Sequence, residues 1–314
     1  MASQLNRGPP YLPTTWALGG RATKTVDIPI TAVFLALYIG SAAWHMTIFQ
    51  KNNKRGHKFI FNAVLFGFSM SRIVTCVLRI VTICIPSNAN LSIAAAVFVA
   101  AAVLLIYIIN LLWSQRILRS LHPRLGWHRA TKIVFIALYV VTFCTLVMNI
   151  TVTVQNFYTL RPRTKFIDRA VQLYGQTFLA VVSSLPYFIV GLALALPRRT
   201  PAEKFGAGKH SVKIAILLAG TTLVTLGAWY RCATTWQTPV PRTRPLPTYF
   251  AKPAFYIFNF GVEILTVYMY AITRVDLRFH VPNGAKGPGS YEKMTVEREA
   301  ESTDVQTQEL KEDA

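Results

Sequence analysis

Seven stretches of this chain are apolar over about 20 residues or more, the length at which a helix rising 1.5 Å per residue crosses the hydrocarbon of a bilayer. They fall near residues 28–50, 59–84, 91–114, 133–154, 171–196, 212–233 and 253–273. Hydrocarbon offers no water to backbone amides and carbonyls, so each stretch has to close its hydrogen bonds internally as a helix. The expected fold is an all-α integral membrane protein, a bundle of seven transmembrane helices. Pro29, Pro86, Pro197 and Pro253 sit at or near the ends of stretches, where a missing amide hydrogen does least harm. Pro186 lies inside the fifth stretch and predicts a packing kink there.

Charge supports the same reading. Charged residues make up only 15% of the 314, against roughly a quarter in soluble domains. The net charge of +20 would point to nucleic acid on a soluble basic domain. Here the basic residues gather in short clusters between apolar stretches, which suits phospholipid head groups and excludes nucleic acid as the expected partner. Eight of the 13 acids fall in the last 23 residues, leaving a basic body and an acidic end. With the N-terminus outside, the segments assigned to the cytoplasm hold 15 Lys and Arg and the opposite segments 10, so the orientation expected is N-out and C-in. The domain division is a short extracytoplasmic segment (1–27), a seven-helix domain (28–273) and a cytoplasmic tail (274–314), disordered from about Gly284. No cleaved signal is expected in residues 1–27, which lack an apolar core. After the third stretch, Arg116, Arg119, Arg124, Trp127 and Arg129 interleave with apolar residues, a pattern expected to lie against anionic lipid head groups on the cytoplasmic side.

Ionisable groups inside a span cost on the order of 2.5–3.5 kcal/mol each on insertion scales, so they usually face a partner, a cavity or a ligand. Three stand out: Arg72 and Arg79 in the second stretch and Glu263 in the seventh. Arg72 and Arg79 are two turns apart and project from nearly one face; Asn259 and Glu263 share a face of the seventh stretch. Counting rise from the outer ends puts Arg72 at about 18 Å depth and Glu263 at about 15 Å, close enough to pair. Arg79 and Asn259 fall at about 8 and 9 Å, a second level of contact. Asn110, Asn149 and Gln176 extend the polar set, and His45 is expected to border head groups. Two arginines facing one acid leave Arg79 without a counter-charge and predict an anionic ligand entering from outside. The candidate intramembrane site is therefore Arg72, Arg79, Asn110, Asn259 and Glu263, with any pocket lined by the second, third and seventh helices.

Signatures of catalysis are missing. There is no His-Glu-x-x-His, no pair of intramembrane carboxylates and no Gly-x-Ser-x-Gly, and Gly206-Ala-Gly208-Lys209-His210-Ser211 fails as a phosphate loop because His210 interrupts it. Cys76, Cys84, Cys144 and Cys232 have no metal-ligand spacing; Cys84 and Cys232 both fall near the outer surface, where a disulfide between them is open. No enzyme activity, metal or cofactor is expected.

The chain resembles an uncharacterised fungal family of seven-helix membrane proteins, often labelled family C-like G-protein-coupled receptors. The resemblance is carried by Ser71-Arg72-Ile73 and Leu78-Arg79-Ile80, Asn110-Leu111, Gln115-Arg116-Ile117-Leu118-Arg119, Gly126-Trp127-His128, Glu263, and Arg274 to Pro282. It implies a membrane protein of receptor outline. Departures from receptor patterns argue against G-protein coupling: 27 residues precede the first span, Ser114-Gln115-Arg116 stands where receptors carry Asp/Glu-Arg-Tyr, and the seventh helix has no Asn-Pro. The leading expectation is a receptor-like or sensor-like protein; the alternatives are a transporter or lipid translocator, and a membrane scaffold without a small-molecule site.

Overall fold

The structure is a computed structural model and describes residues 8–57, 59–197, 201–282 and 284–291. Seven helices are long and apolar enough to cross a membrane: α1 (Lys24–Lys54), α2 (Ile60–Cys84), α3 (Ala89–Leu121), α4 (Arg129–Tyr158), α5 (Pro162–Ala195), α6 (His210–Trp236) and α7 (Lys252–Ile272). A single turn, α8 (Val275–Arg278), follows. Among the described residues there is no strand, only a bridge between Thr15 and Pro241. The protein is thus an all-helical chain of multi-pass membrane type.

Several helices outrun the apolar stretches that announce them. At 31 and 34 residues, α1 and α5 span about 47 and 51 Å, well beyond a hydrocarbon core of about 30 Å. The extension matters most in α1, which takes Asp27 into its first turn. The Asp27 carboxylate accepts the Thr23 amide at 2.7 Å and its hydroxyl at 3.1 Å, satisfying an orphan donor at the positive end of the helix.

Three helices depart from regularity, each with a visible consequence. α3 is interrupted at Ala102–Val103, between segments Ala89–Ala101 and Leu104–Leu121. α5 continues through Pro186, and the Ser183 carbonyl one turn earlier accepts the Thr225 hydroxyl of α6 at 2.9 Å, so a neighbouring helix serves a backbone group near the proline. α7 widens into a π turn at Ile257–Gly261. Extra width of this kind is often retained at functional positions.

Outward faces of the helices remain apolar and uncovered: Val134 and Phe143 of α4, Phe188 of α5, and Leu265 and Ile272 of α7 are 59–70% exposed or 63% exposed in the two α4 cases. Lipid tails are their natural neighbours. Inside, Trp113 is fully buried, its ring 4.9 Å from Tyr270 and 4.5 Å from Phe279. All the carboxylates among the described residues are buried too: Asp27, Asp168, Glu203, Glu263 and Asp276.

Beyond α7 the chain turns at Arg274, whose φ of 50° is unusual for a residue with a side chain. A bidentate pair with Asp276, at 3.0 and 2.9 Å, holds that turn, and Asn52 of α1 donates to the same carboxylate at 2.9 Å. Burial pushes the Asp276 carboxyl up, but these hydrogen bonds and the Arg274 charge outweigh it and hold the group below its ordinary range. Residues up to Tyr291 then fold back under the bundle. Tyr291 is buried between Trp127 and Phe205, each ring 5.8 Å away, and Glu203 accepts the backbone amides of Gly289 and Tyr291 at 2.6 and 3.4 Å. The disorder expected from Gly284 therefore does not hold as far as Tyr291: packed rings and a buried carboxylate fix a segment whose composition looks polar. Residues 292–314, where the rest of that expectation falls, lie outside the described residues.

Candidate functional site

The middle of the bundle is polar, and one bidentate ion pair organises it. Arg72 of α2 donates to Glu263 of α7 through both Nε and Nη2, each at 2.6 Å, with both side chains buried. Its Nη1 donates to the Val99 carbonyl at 3.1 Å, just before the interruption in α3, and the Phe68 and Phe260 rings close over it at 5.7 and 5.6 Å. A planar guanidinium on a carboxylate is the strongest neutralisation available in a dry interior.

A second cation reaches the same acid. Arg231 of α6 places Nη1 3.4 Å from Glu263 Oε1 and 3.3 Å from Asn259 Oδ1, while Nη2 donates to the Tyr107 hydroxyl at 2.8 Å. Gly227, one turn earlier, permits this approach: a Cβ there would lie 2.4 Å from the Phe258 carbonyl in the π turn of α7. The π turn also directs Asn259, whose Nδ2 donates to the Phe255 carbonyl at 2.9 Å and whose oxygen is left for Arg231. Arg231 was missed in the sequence reading because it lies near the end of its apolar stretch, where basic side chains usually reach for head groups. The signal was present: Gly220, Val224, Gly227 and Arg231 recur at helical spacing, and all are buried.

Arg79 belongs to a separate cluster, and it does have a counter-charge. Its Nη2 lies 3.4 Å from Asp27, its Nε donates to the Tyr256 hydroxyl at 3.3 Å, and its guanidinium sits 4.2 Å over the Phe255 ring. Lys252 reaches the other Asp27 oxygen at 2.6 Å, and Tyr256 donates to Asp27 at 2.9 Å. The expected contact of Arg79 with Asn259 does not form, since Arg231 occupies Asn259 and Asp27 has been carried inward by α1. Asn110 is elsewhere again, accepting the Tyr270 hydroxyl at 2.6 Å. Of the five candidate residues, the structure brings together Arg72, Asn259 and Glu263, and sets Arg79 and Asn110 in separate contacts. His45 does not border head groups: it is fully buried, with Nε2 3.1 Å from the Val267 carbonyl. Cys84 is exposed and Cys232 buried, both as free thiols.

Beside Arg231 opens a cavity of about 160 Å³, lined by Val103 and Tyr107 of α3, Gln176 of α5, Arg231 of α6, Asn259 of α7 and Leu18 of the N-terminal segment. That segment is pinned to the loop before α7 by Trp16 and Arg242, whose amides donate to Val240 and Thr14 at 2.9 Å. The pocket walls are therefore α3, α5, α6 and α7 rather than the second, third and seventh helices. Arg72 is sealed behind Glu263 and two rings, so α2 has no surface there. Among the described residues no group of His, Cys, Asp and Glu is arranged to hold a metal.

Of the five residues read as lipid-facing after α3, Arg124 and Arg129 are exposed, whereas Arg116, Arg119 and Trp127 turn toward the protein. The Arg116 Nη1 donates to the Phe279 carbonyl and its guanidinium lies 4.6 Å over Phe61; Arg119 lies 4.3 Å over Trp127.

Comparison with known proteins places one part of the chain. A family profile described as "Protein of unknown function (DUF3112)" matches residues 198–280. No curated protein and no solved structure matches. The matched segment runs through α6 and α7 into the following turn, and so contains Arg231, Asn259, Glu263, Lys252 and Asp276. Arg72, Tyr107, Arg79 and Asp27, which complete both polar clusters, lie outside it.

Proposed function

We propose that this multi-pass membrane protein is receptor-like or sensor-like, sits N-out and C-in, and binds a small anion in the cavity beside Arg231. The observation that carries the reading is the unequal sharing of one carboxylate by two arginines. Glu263 gives both oxygens to Arg72 at 2.6 Å and only a 3.4 Å contact to Arg231. The cluster has two positive groups against one negative, and the surplus falls on the arginine that faces the cavity. An anion entering there meets the Arg231 guanidinium, the Tyr107 hydroxyl and the Gln176 amide. A volume of 160 Å³ equals about five waters, which limits the ligand to a small carboxylate or a comparable anion. Such a ligand draws Arg231 from Asn259 and Glu263 and so acts on the π turn of α7. A ligand shifts a conformational equilibrium only by its differential affinity for the two states, and this exchange of partners supplies one. No catalysis is assigned, and G-protein coupling is not part of the proposal.

The test uses the purified full-length protein in lipid nanodiscs, titrated with short monocarboxylates while thermal unfolding is followed. A saturable rise in midpoint for the wild type, absent in Arg231→Gln, is the expected result. Accumulation of the same labelled carboxylate in proteoliposomes would assign the chain to the transporter alternative instead, and a flat response to the whole panel would leave the scaffold reading in place.

A further inference from the structure

A second cavity, of about 470 Å³, lies at the opposite end of the bundle, between the start of α2, the end of α3 and the returning segment His280–Tyr291. It is independent of the ligand site above: on α3, Tyr107 and Arg116 are nine residues apart, about 14 Å along the axis. Its volume falls in the range typical of small-molecule sites, about 300–1,000 Å³.

Two guanidiniums line it, three residues apart on one face of α3, and neither meets a carboxylate among the described residues. No ion pair among the described residues includes Arg116 or Arg119. Glu203, which packs against the same C-terminal segment, gives its oxygens to the backbone amides of Gly289 and Tyr291. Instead the arginines are braced by neutral groups. Arg116 is held by the Phe279 carbonyl and the Phe61 ring, Arg119 by the Gly126 carbonyl at 3.3 Å, the Trp127 ring and a hydrogen bond with the Tyr291 hydroxyl. Each guanidinium has five donors, so the bracing fixes its plane while leaving donors for the cavity. Two adjacent pre-oriented guanidiniums without a carboxylate match the oxygens of a phosphate group.

The rest of the wall is apolar, formed by Phe59, Ile60, Val64 and Leu112. Ile60 is 68% exposed, on the rim that faces outward from the bundle. A free phosphate gains nothing from such a wall, whereas an acyl chain attached to the phosphate does. We infer that this cavity binds the phosphate of an anionic phospholipid, with Arg116 and Arg119 on its oxygens and the first part of an acyl chain along Ile60 and Val64. This gives Arg116 and Arg119 a defined lipid ligand, in place of a general attraction to the membrane surface that Arg124 and Arg129 also exert.

The experiment uses the full-length protein in a neutral detergent and counts bound lipid by native mass spectrometry. The probes are dioctanoyl phosphatidic acid, dioctanoyl phosphatidylcholine and inorganic phosphate. The expected result is a one-to-one adduct with phosphatidic acid, weakened on the order of tenfold or more in the Arg116→Gln/Arg119→Gln double variant. The Arg124→Gln/Arg129→Gln control removes the same charge outside the cavity and should bind as the wild type does. Val64→Phe fills the apolar wall with both arginines in place; it should also lose the adduct, which keeps the inference testable if the double arginine variant does not fold. Equal binding by the cavity variants and the wild type overturns it. So does inorganic phosphate binding as tightly as the lipid, which would assign the arginines to a soluble phosphate, and so does equal binding of phosphatidylcholine, which would make the charge irrelevant.

Discussion

The centre and the C-terminal end of this bundle both hold arginines against the protein, and they meet the charge in opposite ways. At the centre, Arg72 is met by a carboxylate through two short hydrogen bonds and is closed off by two rings. At the far end of α3, Arg116 and Arg119 are met by carbonyl oxygens, aromatic faces and the Tyr291 hydroxyl, with no acid among the described residues in contact. Carbonyls and rings carry only partial charge, so they orient a guanidinium without cancelling it. The comparison separates a cation that fixes the packing of helices from cations whose charge is still available.

The largest effect should come from breaking the central pair. Glu263→Gln leaves Arg72 buried beside a neutral partner, and losing one member of a buried pair costs about 3–5 kcal/mol. Unfolding of each single variant and of Arg72→Ala/Glu263→Gln in detergent would show the coupling as a double-mutant loss well below the sum. Additive losses would end the distinction drawn here. Next in size, Gly227→Ala puts a methyl 2.4 Å from the Phe258 carbonyl and should cost about 1–3 kcal/mol by forcing α6 from α7. In the same variant the anion response assigned to Arg231 should weaken, since moving α6 carries its guanidinium away from the cavity wall it shares with Tyr107.

Arg116→Gln should cost much less, about 1 kcal/mol for a hydrogen bond and a cation–π contact, because no opposite charge is stranded. A loss as large as that of Glu263→Gln would mean that a carboxylate partner exists there after all. The smallest effect concerns acid. Asp276 is held below its ordinary value of 3.8, so the stability it contributes is fully present above that value. That contribution fades as pH falls through the lower folded value. A pH titration of the unfolding midpoint should therefore show a loss confined to strongly acidic conditions and missing in Asp276→Asn.

Much of this architecture is legible in the sequence because hydrocarbon thickness is such a strict ruler. Seven apolar stretches became seven helices, and simple depth counting puts Arg72 and Glu263 at nearly the same level. The same ruler misplaced Asp27. It lies ahead of the apolar stretch and reads as part of an exposed segment, but α1 starts earlier and buries it against Arg79, Lys252 and Tyr256. Arg231 was hidden by position, since distance from the span end says nothing about rotation around the helix. Only the small-residue stripe that ends at Arg231 carries that information. The segment leading to Tyr291 was illegible for another reason: its order depends on Glu203, some 88 positions away, and on rings from two other parts of the chain.

Burying all the carboxylates of the described body has a consequence for how the molecule meets its surroundings. Asp27, Asp168, Glu203, Glu263 and Asp276 are all inside, so the exposed surface of the described residues bears basic groups with no acid interspersed. Among the described residues that surface is positive, and moderate acid leaves its charge unchanged, while the eight acids of 292–314 lie outside those residues. The reach of the charge is set by dissolved salt, about 10 Å at 0.1 M and only about 3 Å at 1 M. High salt during purification thus shortens the reach of that surface charge, and dilution restores it.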